Sequence, residues 1–187
     1  MKKIIFPVCL LLTALLFLLP AREASGQRLD LSSFLIDTYG DTLVARFSIT
    51  LDNFDKVKSA LDNGSKVALL CNVSLLKDRV FFWDQPMVEK DIEIGLEKNL
   101  LSGGYVVFLP NQTRNLDVFE KDIFIELFGD MNVELLALDK LNPDQKYIVR
   151  TQARLISKGV PKWIKRTLFF WSWDLAKSIR YEMRFTF

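Results

Sequence analysis

Apolar residues alternate with polar ones along most of the chain, and a period of two is the mark of strands with one buried face. Leu43, Ala45, Phe47, Ile49 and Leu51 share a face opposite Arg46, Ser48 and Thr50. The pattern returns at Val67, Leu69, Cys71, Val73 and Leu75, then at Val88, Ile92, Ile94 and Leu96. It continues through Tyr105 to Leu109, through Val133, Leu135 and Ala137, and through Tyr147, Val149, Thr151, Ala153 and Leu155. The last instance is Tyr181, Met183, Phe185 and Phe187 against Arg180, Glu182 and Arg184. Turn residues punctuate these runs at Tyr39-Gly40-Asp41, Asp84-Gln85-Pro86, Ser102-Gly103-Gly104 and Asn142-Pro143-Asp144, as antiparallel hairpins require.

Helical spacing replaces alternation in three places. Phe54, Val57 and Leu61 follow a candidate N-cap, Asp52, and precede the stop signal Asn63-Gly64. Asp117 and Glu120 stand at capping-box spacing before Phe119, Ile123 and Leu127, with Gly129 at the end. A third stripe runs through Val160, Trp163, Ile164, Leu168 and Trp171, with Pro161 suited to a first turn. The expected fold is mainly β: an antiparallel β-sandwich-like (immunoglobulin-like) domain of about eight strands with three short helices.

The first 26 residues follow a different grammar. Lys2 and Lys3 precede an apolar run from Ile4 to Leu19, and Ala24-Ser25-Gly26 offers small residues ahead of Gln27. This is the layout of a cleavable secretory signal, and the run falls short of the roughly 20 residues a spanning helix needs. The expected mature domain is residues 27–187, in one piece, because no linker or low-complexity stretch divides it.

Removing the signal changes the chemistry of what remains. Mature basic and acidic residues balance at 22 each, so no overall attraction to nucleic acid or to anionic membrane is expected, and any electrostatic binding must come from a local patch. Cys9 leaves and Cys71 stays, which rules out an internal disulfide and favours a bacterial periplasm over a disulfide-rich secretory route. Cys71 lies on the apolar face of its strand and reads as a buried, inert thiol. The chain contains no histidine, so the commonest general base and metal ligand are missing, and the cysteine count leaves no Cys/His zinc set. No cofactor or metal site is expected.

Asp84, Glu89, Asp91 and Glu93 lie close together in sequence, and paired carboxylates could serve a sugar hydrolase or a sugar-binding module, with Trp83 as a stacking ring. The plainer expectation for them is an exposed strand face and its turn. The closing aromatic strand would also suit a small outer-membrane β-barrel. The segment Lys158 to Trp173 mixes a basic group with most of the tryptophans. Within it Trp163, Lys165, Arg166, Phe169 and Phe170 are the candidate contact to a protein partner or a membrane surface.

Several pieces together resemble an uncharacterised exported bacterial family, the domain of unknown function 4390. They are Ala60-Leu61-Asp62-Asn63-Gly64, the strand Val67 to Leu75 leading to Phe82-Trp83-Asp84, and Gly104-Tyr105-Val106-Val107. Tyr147 to Leu155, Val160-Pro161 and Trp171-Ser172-Trp173 complete the likeness. The resemblance implies a non-enzymatic envelope accessory module with no catalytic residues to carry over. Gene neighbourhood in that family points to a sensor kinase as the envelope protein partner.

Overall fold

A computed structural model describes residues 28–79, 83–158 and 174–187. These form nine strands, two α-helices and one turn of 3₁₀-helix. In order they are β1 (Leu29–Tyr39), β2 (Thr42–Leu51), α1 (Phe54–Asp62), β3 (Val67–Lys77), β4 (Gln85–Lys98), β5 (Tyr105–Leu109) and β6 (Gln112–Leu116). There follow α2 (Lys121–Phe128), β7 (Met131–Ala137), the 3₁₀ turn Leu138–Lys140, β8 (Lys146–Ser157) and β9 (Asp174–Thr186). Three strands make one sheet in the order β1-β2-β7 and six make the other in the order β6-β5-β4-β3-β8-β9. Every strand pairing is antiparallel.

The register explains why alternation was so clear on the central strands. Cys71 on β3 sits opposite Ile92 of β4 and Ala153 of β8, so each apolar row runs straight across three strands. Burying these rows against the smaller sheet gives the core, where Ala45, Ile49, Leu69, Val73, Leu75, Val149 and Leu155 are completely enclosed. Three strands cannot cover six. The remainder of the large sheet is closed by the two helices through an aromatic cluster. Phe119 packs on Tyr105 of β5 at 5.7 Å and on Phe54 of α1 at 5.2 Å, while Phe124 meets Phe128 in a tilted contact at 4.5 Å.

The sandwich-like antiparallel architecture is present, but its sheets are unequal. Among the described residues the sheets do not close into the barrel of the alternative reading: β1 and β7 are the edge strands of one and β6 and β9 of the other. Where β1 and β9 meet, a single parallel bridge joins Arg28 to Lys177, and Phe34 rests on Tyr181 at 5.1 Å. Among the described residues no helix is long and apolar enough to cross a membrane.

Several local expectations shift. α1 begins after Asn53 instead of Asp52, and α2 begins after Glu120 instead of Asp117; neither N-cap residue makes a side-chain capping hydrogen bond to its helix. Asp84-Gln85-Pro86 is not the turn itself: Gln85 and Pro86 already belong to β4, where a register shift lets a residue without an N–H be accommodated. The third helical stripe lies outside the described residues.

Cys71 is buried, and desolvation pushes its thiol up to about 12. At pH 8 the thiolate is therefore scarce, and alkylation by iodoacetamide should run at least about a thousandfold slower in the native protein than in urea. Equal labelling rates in the two states would show the thiol to be exposed.

Candidate functional site

At one end of the large sheet the hairpin between β4 and β5 carries Asn99 to Gly104, and two adjacent leucines stand at its tip. Leu100 is 73% exposed and Leu101 is 101% exposed, the most open large apolar pair among the described residues. Alternation alone would have turned one of two neighbouring residues inward, but beyond the last strand residue there is no sheet face left to receive either.

The turn that holds them is tightly built. Asn99 donates its backbone N–H to the Gly104 carbonyl at 2.8 Å, and Gly103 returns one to the Asn99 carbonyl at 2.8 Å. The Asn99 side-chain oxygen accepts from the Leu101 and Ser102 amides at 3.0 and 3.3 Å. Gly103 has φ +77°, a left-handed conformation that favours glycine.

Both feet of the turn are fastened to the same carboxylate. Lys98, the last residue of β4, donates to Asp62 Oδ1 at 2.7 Å, and Tyr105, the first of β5, donates its hydroxyl to that oxygen at 2.6 Å. Asp62 is placed by the end of α1, which the 3.6-residue spacing of buried Val57 and Leu61 drives onto the core. The helix stops there because Gly64, at φ +80°, lets the chain reverse while its N–H reaches the Leu61 carbonyl at 2.9 Å. Lys58 and Lys98 stand 5.8 and 5.5 Å from the centre of the Tyr105 ring, so the ring also faces two cations.

This geometry sets the ionisation of the trio. The Lys98 ammonium and then the Tyr105 hydroxyl hold the Asp62 carboxyl below its usual range. In return Asp62 raises Lys98, while burial, followed by the Asp62 hydrogen bond, raises Tyr105. A carboxyl depressed in the folded state stabilises the fold above the ordinary carboxylate pKa, and that contribution disappears as pH falls through the lower folded value. Asp62→Asn should therefore lose part of the drop in thermal midpoint between pH 7 and pH 3 that the wild type shows. An unchanged acid limb would mean that Asp62 contributes nothing to it.

The carboxylates singled out in the sequence lie elsewhere, on or beside the outer face of the large sheet. Glu89 and Asp91 both accept from the Asn72 side-chain amide, at 2.7 and 2.8 Å, and Glu93 pairs with Lys158. Asp84 lies 3.8 Å from Arg150, and Trp83 beside it is 92% exposed. Glu89, Asp91 and Glu93 follow one another along a single strand face and do not oppose each other across a cleft. Among the described residues no group of three or more acidic or cysteine side chains could hold a metal ion.

The five residues expected to make the partner or membrane contact, Trp163, Lys165, Arg166, Phe169 and Phe170, lie outside the described residues. Chain connectivity nonetheless fixes where their segment starts and ends. Lys158 donates its backbone N–H to Lys66 at 2.6 Å, and Asp174 re-enters the sheet opposite Ile156. Since Val67 pairs with Leu96, both ends of the segment are at the end of the sheet that carries Leu100 and Leu101. The Asp62–Lys98–Tyr105 clamp escaped sequence reading, because its members come from a helix end and two strand ends 36 and 43 residues apart.

No curated protein and no solved structure matches this chain. A family model described as "Domain of unknown function (DUF4390)" matches residues 26–184, and the chain belongs to that family.

Proposed function

We propose that the mature chain is a non-enzymatic binding module of the bacterial periplasm, exported by a cleaved N-terminal signal, that docks on the membrane surface. The contact is the Leu100–Leu101 turn, joined by Trp163, Lys165, Arg166, Phe169 and Phe170 from the segment that leaves the sheet at the same end. The observation that carries this reading is the clamped turn: two leucines held out in water by a hydrogen-bonded scaffold whose feet share one carboxylate.

A narrow apolar tip suits a lipid surface better than a protein surface. A stable protein interface buries about 1,200 Å² or more in total, far beyond what two leucines on a turn present. Lipid accepts a small convex wedge, and the lysines near it, Lys66, Lys98 and Lys158, can lay their stems along the interface while their heads stay in water. Each of these lysines already faces a carboxylate, so attraction to anionic lipid is modest and apolar insertion dominates.

Flotation of the mature protein with vesicles of phosphatidylethanolamine and phosphatidylglycerol tests the reading. The protein should float, and Leu100→Ser/Leu101→Ser should stay at the bottom with its thermal midpoint unchanged. Flotation unaffected by that pair would overturn the assignment of the contact, and absence of flotation would overturn membrane docking itself.

A further inference from the structure

The outer face of the large sheet carries a charge pattern that the membrane reading does not use. Register aligns Asp91, Asn72, Gln152 and Arg180 in one row across β4, β3, β8 and β9, and Glu93, Leu70 and Arg154 in the next. Most of the charges on this face are internally matched. Arg150 and Arg180 share Glu182 at 2.6 and 2.8 Å, Arg150 also reaches Asp84, and Lys158 answers Glu93.

Besides Arg184 near the far end of β9, two places beside this row have no such match among the described residues, on opposite sides of it. On β4, Glu89 and Asp91 are bridged only by a neutral amide, so two negative charges stand without a cation among the described residues. On β8, Arg154 and Gln152 are exposed, and their side chains have no hydrogen-bond or ionic partner among the described residues. Between the two sides lies an open hollow of about 450 Å³ lined by Leu70, Asn72, Asp91, Glu93, Gln152 and Arg154. Asn72 spends both amide hydrogens on the β4 carboxylates, which leaves its oxygen to accept.

We propose that this hollow binds a short zwitterionic peptide. The charge order dictates the pose: the amine on Asp91 and Glu89, the peptide groups on Asn72 and Gln152, and the terminal carboxylate on the Arg154 guanidinium. Two inter-strand spacings and one step of two residues along the strand separate Asp91 from Arg154 by roughly 12 Å. A peptide of about three residues, extended at roughly 3.5 Å each and met by flexible side chains, covers that distance. Among the described residues no aromatic side chain lines the hollow, so none of them offers the stacking platform a sugar ring would use. This site stands independently of the Leu100–Leu101 contact.

Backbone-amide NMR titration of the full mature chain tests it, with trialanine, trialanine amide, N-acetyl-trialanine amide and chitotetraose as probes. Trialanine should give saturable shifts at residues 70–72, 91–93 and 152–154 with millimolar affinity, and capping both ends should weaken binding five- to tenfold, as two solvent-exposed charge pairs allow. Arg154→Gln should weaken trialanine but not trialanine amide, and Asp91→Asn should weaken both. Absence of shifts at about 10 mM, equal binding of the capped peptide, or tighter binding of chitotetraose would overturn the proposal.

Discussion

Replacing Phe47 by alanine is expected to destabilise the protein by about 3–5 kcal/mol, the usual range for truncating a fully packed phenylalanine. Phe47 sits on β2, the middle strand of the small sheet, with 2% of its surface exposed. It pairs directly with Phe34 of β1 across the sheet, the rings 6.1 Å apart, and Phe34 in turn meets Tyr181 of the large sheet. Removing the ring opens a cavity where the two sheets join, and the rigid strands on either side cannot collapse to fill it. Urea unfolding of the two proteins measures the difference. A loss below about 1 kcal/mol would mean that the small sheet is not packed as described.

Replacing Leu100 and Leu101 together by serine is expected to lower the vesicle partition coefficient about a hundredfold. Full burial of a leucine side chain stabilises by roughly 1.5–3 kcal/mol, and the lower figure suits side chains that reach only the interface. Two such residues supply about 3 kcal/mol, which corresponds to that ratio. Neither leucine touches the core, so stability should change by less than about 0.5 kcal/mol. The two leucines alone anchor weakly and reversibly, and a second signal is needed for lasting attachment. The aromatic-basic segment supplies that signal in the proposed function, and Phe169→Ser/Phe170→Ser should reduce partitioning further when added to the leucine pair. Sucrose-loaded vesicle sedimentation over a lipid series gives both ratios. A change of less than about threefold in the leucine variant would contradict the assignment.

Sequence alternation revealed most of the strands wherever a row was straight. It failed at β1, where a register shift between Leu31 and Ser33 moves the apolar phase by one residue. Leu29 and Leu31 therefore share the inward face with Phe34 and Ile36, and no simple period connects them. β6 escaped for another reason: Gln112, Thr113, Arg114 and Asn115 are exposed on an edge strand, and Leu116 alone cannot make an alternating pattern. The turn at Ser102-Gly103-Gly104 was legible from its glycines, but the leucines before it were not recognised as its tip. Asp62 and Tyr105 both lie in stretches that carry the family likeness, yet their contact depends on α1 reaching the β4–β5 hairpin, which no local pattern encodes. The exposed strand face expected of the acidic run is present on β4, where Glu89, Asp91 and Glu93 are all exposed.

The inert thiol makes the contact open to direct observation. Because Cys71 is buried, a cysteine introduced at position 101 can be labelled alone with an environment-sensitive nitrobenzoxadiazole dye, and one at Leu35, 61% exposed on the small sheet, serves as the reference. On adding phosphatidylethanolamine–phosphatidylglycerol vesicles, the dye at 101 should shift to the blue and brighten while the dye at 35 stays unchanged. No shift at 101, or equal shifts at both positions, would contradict docking through the Leu100–Leu101 turn.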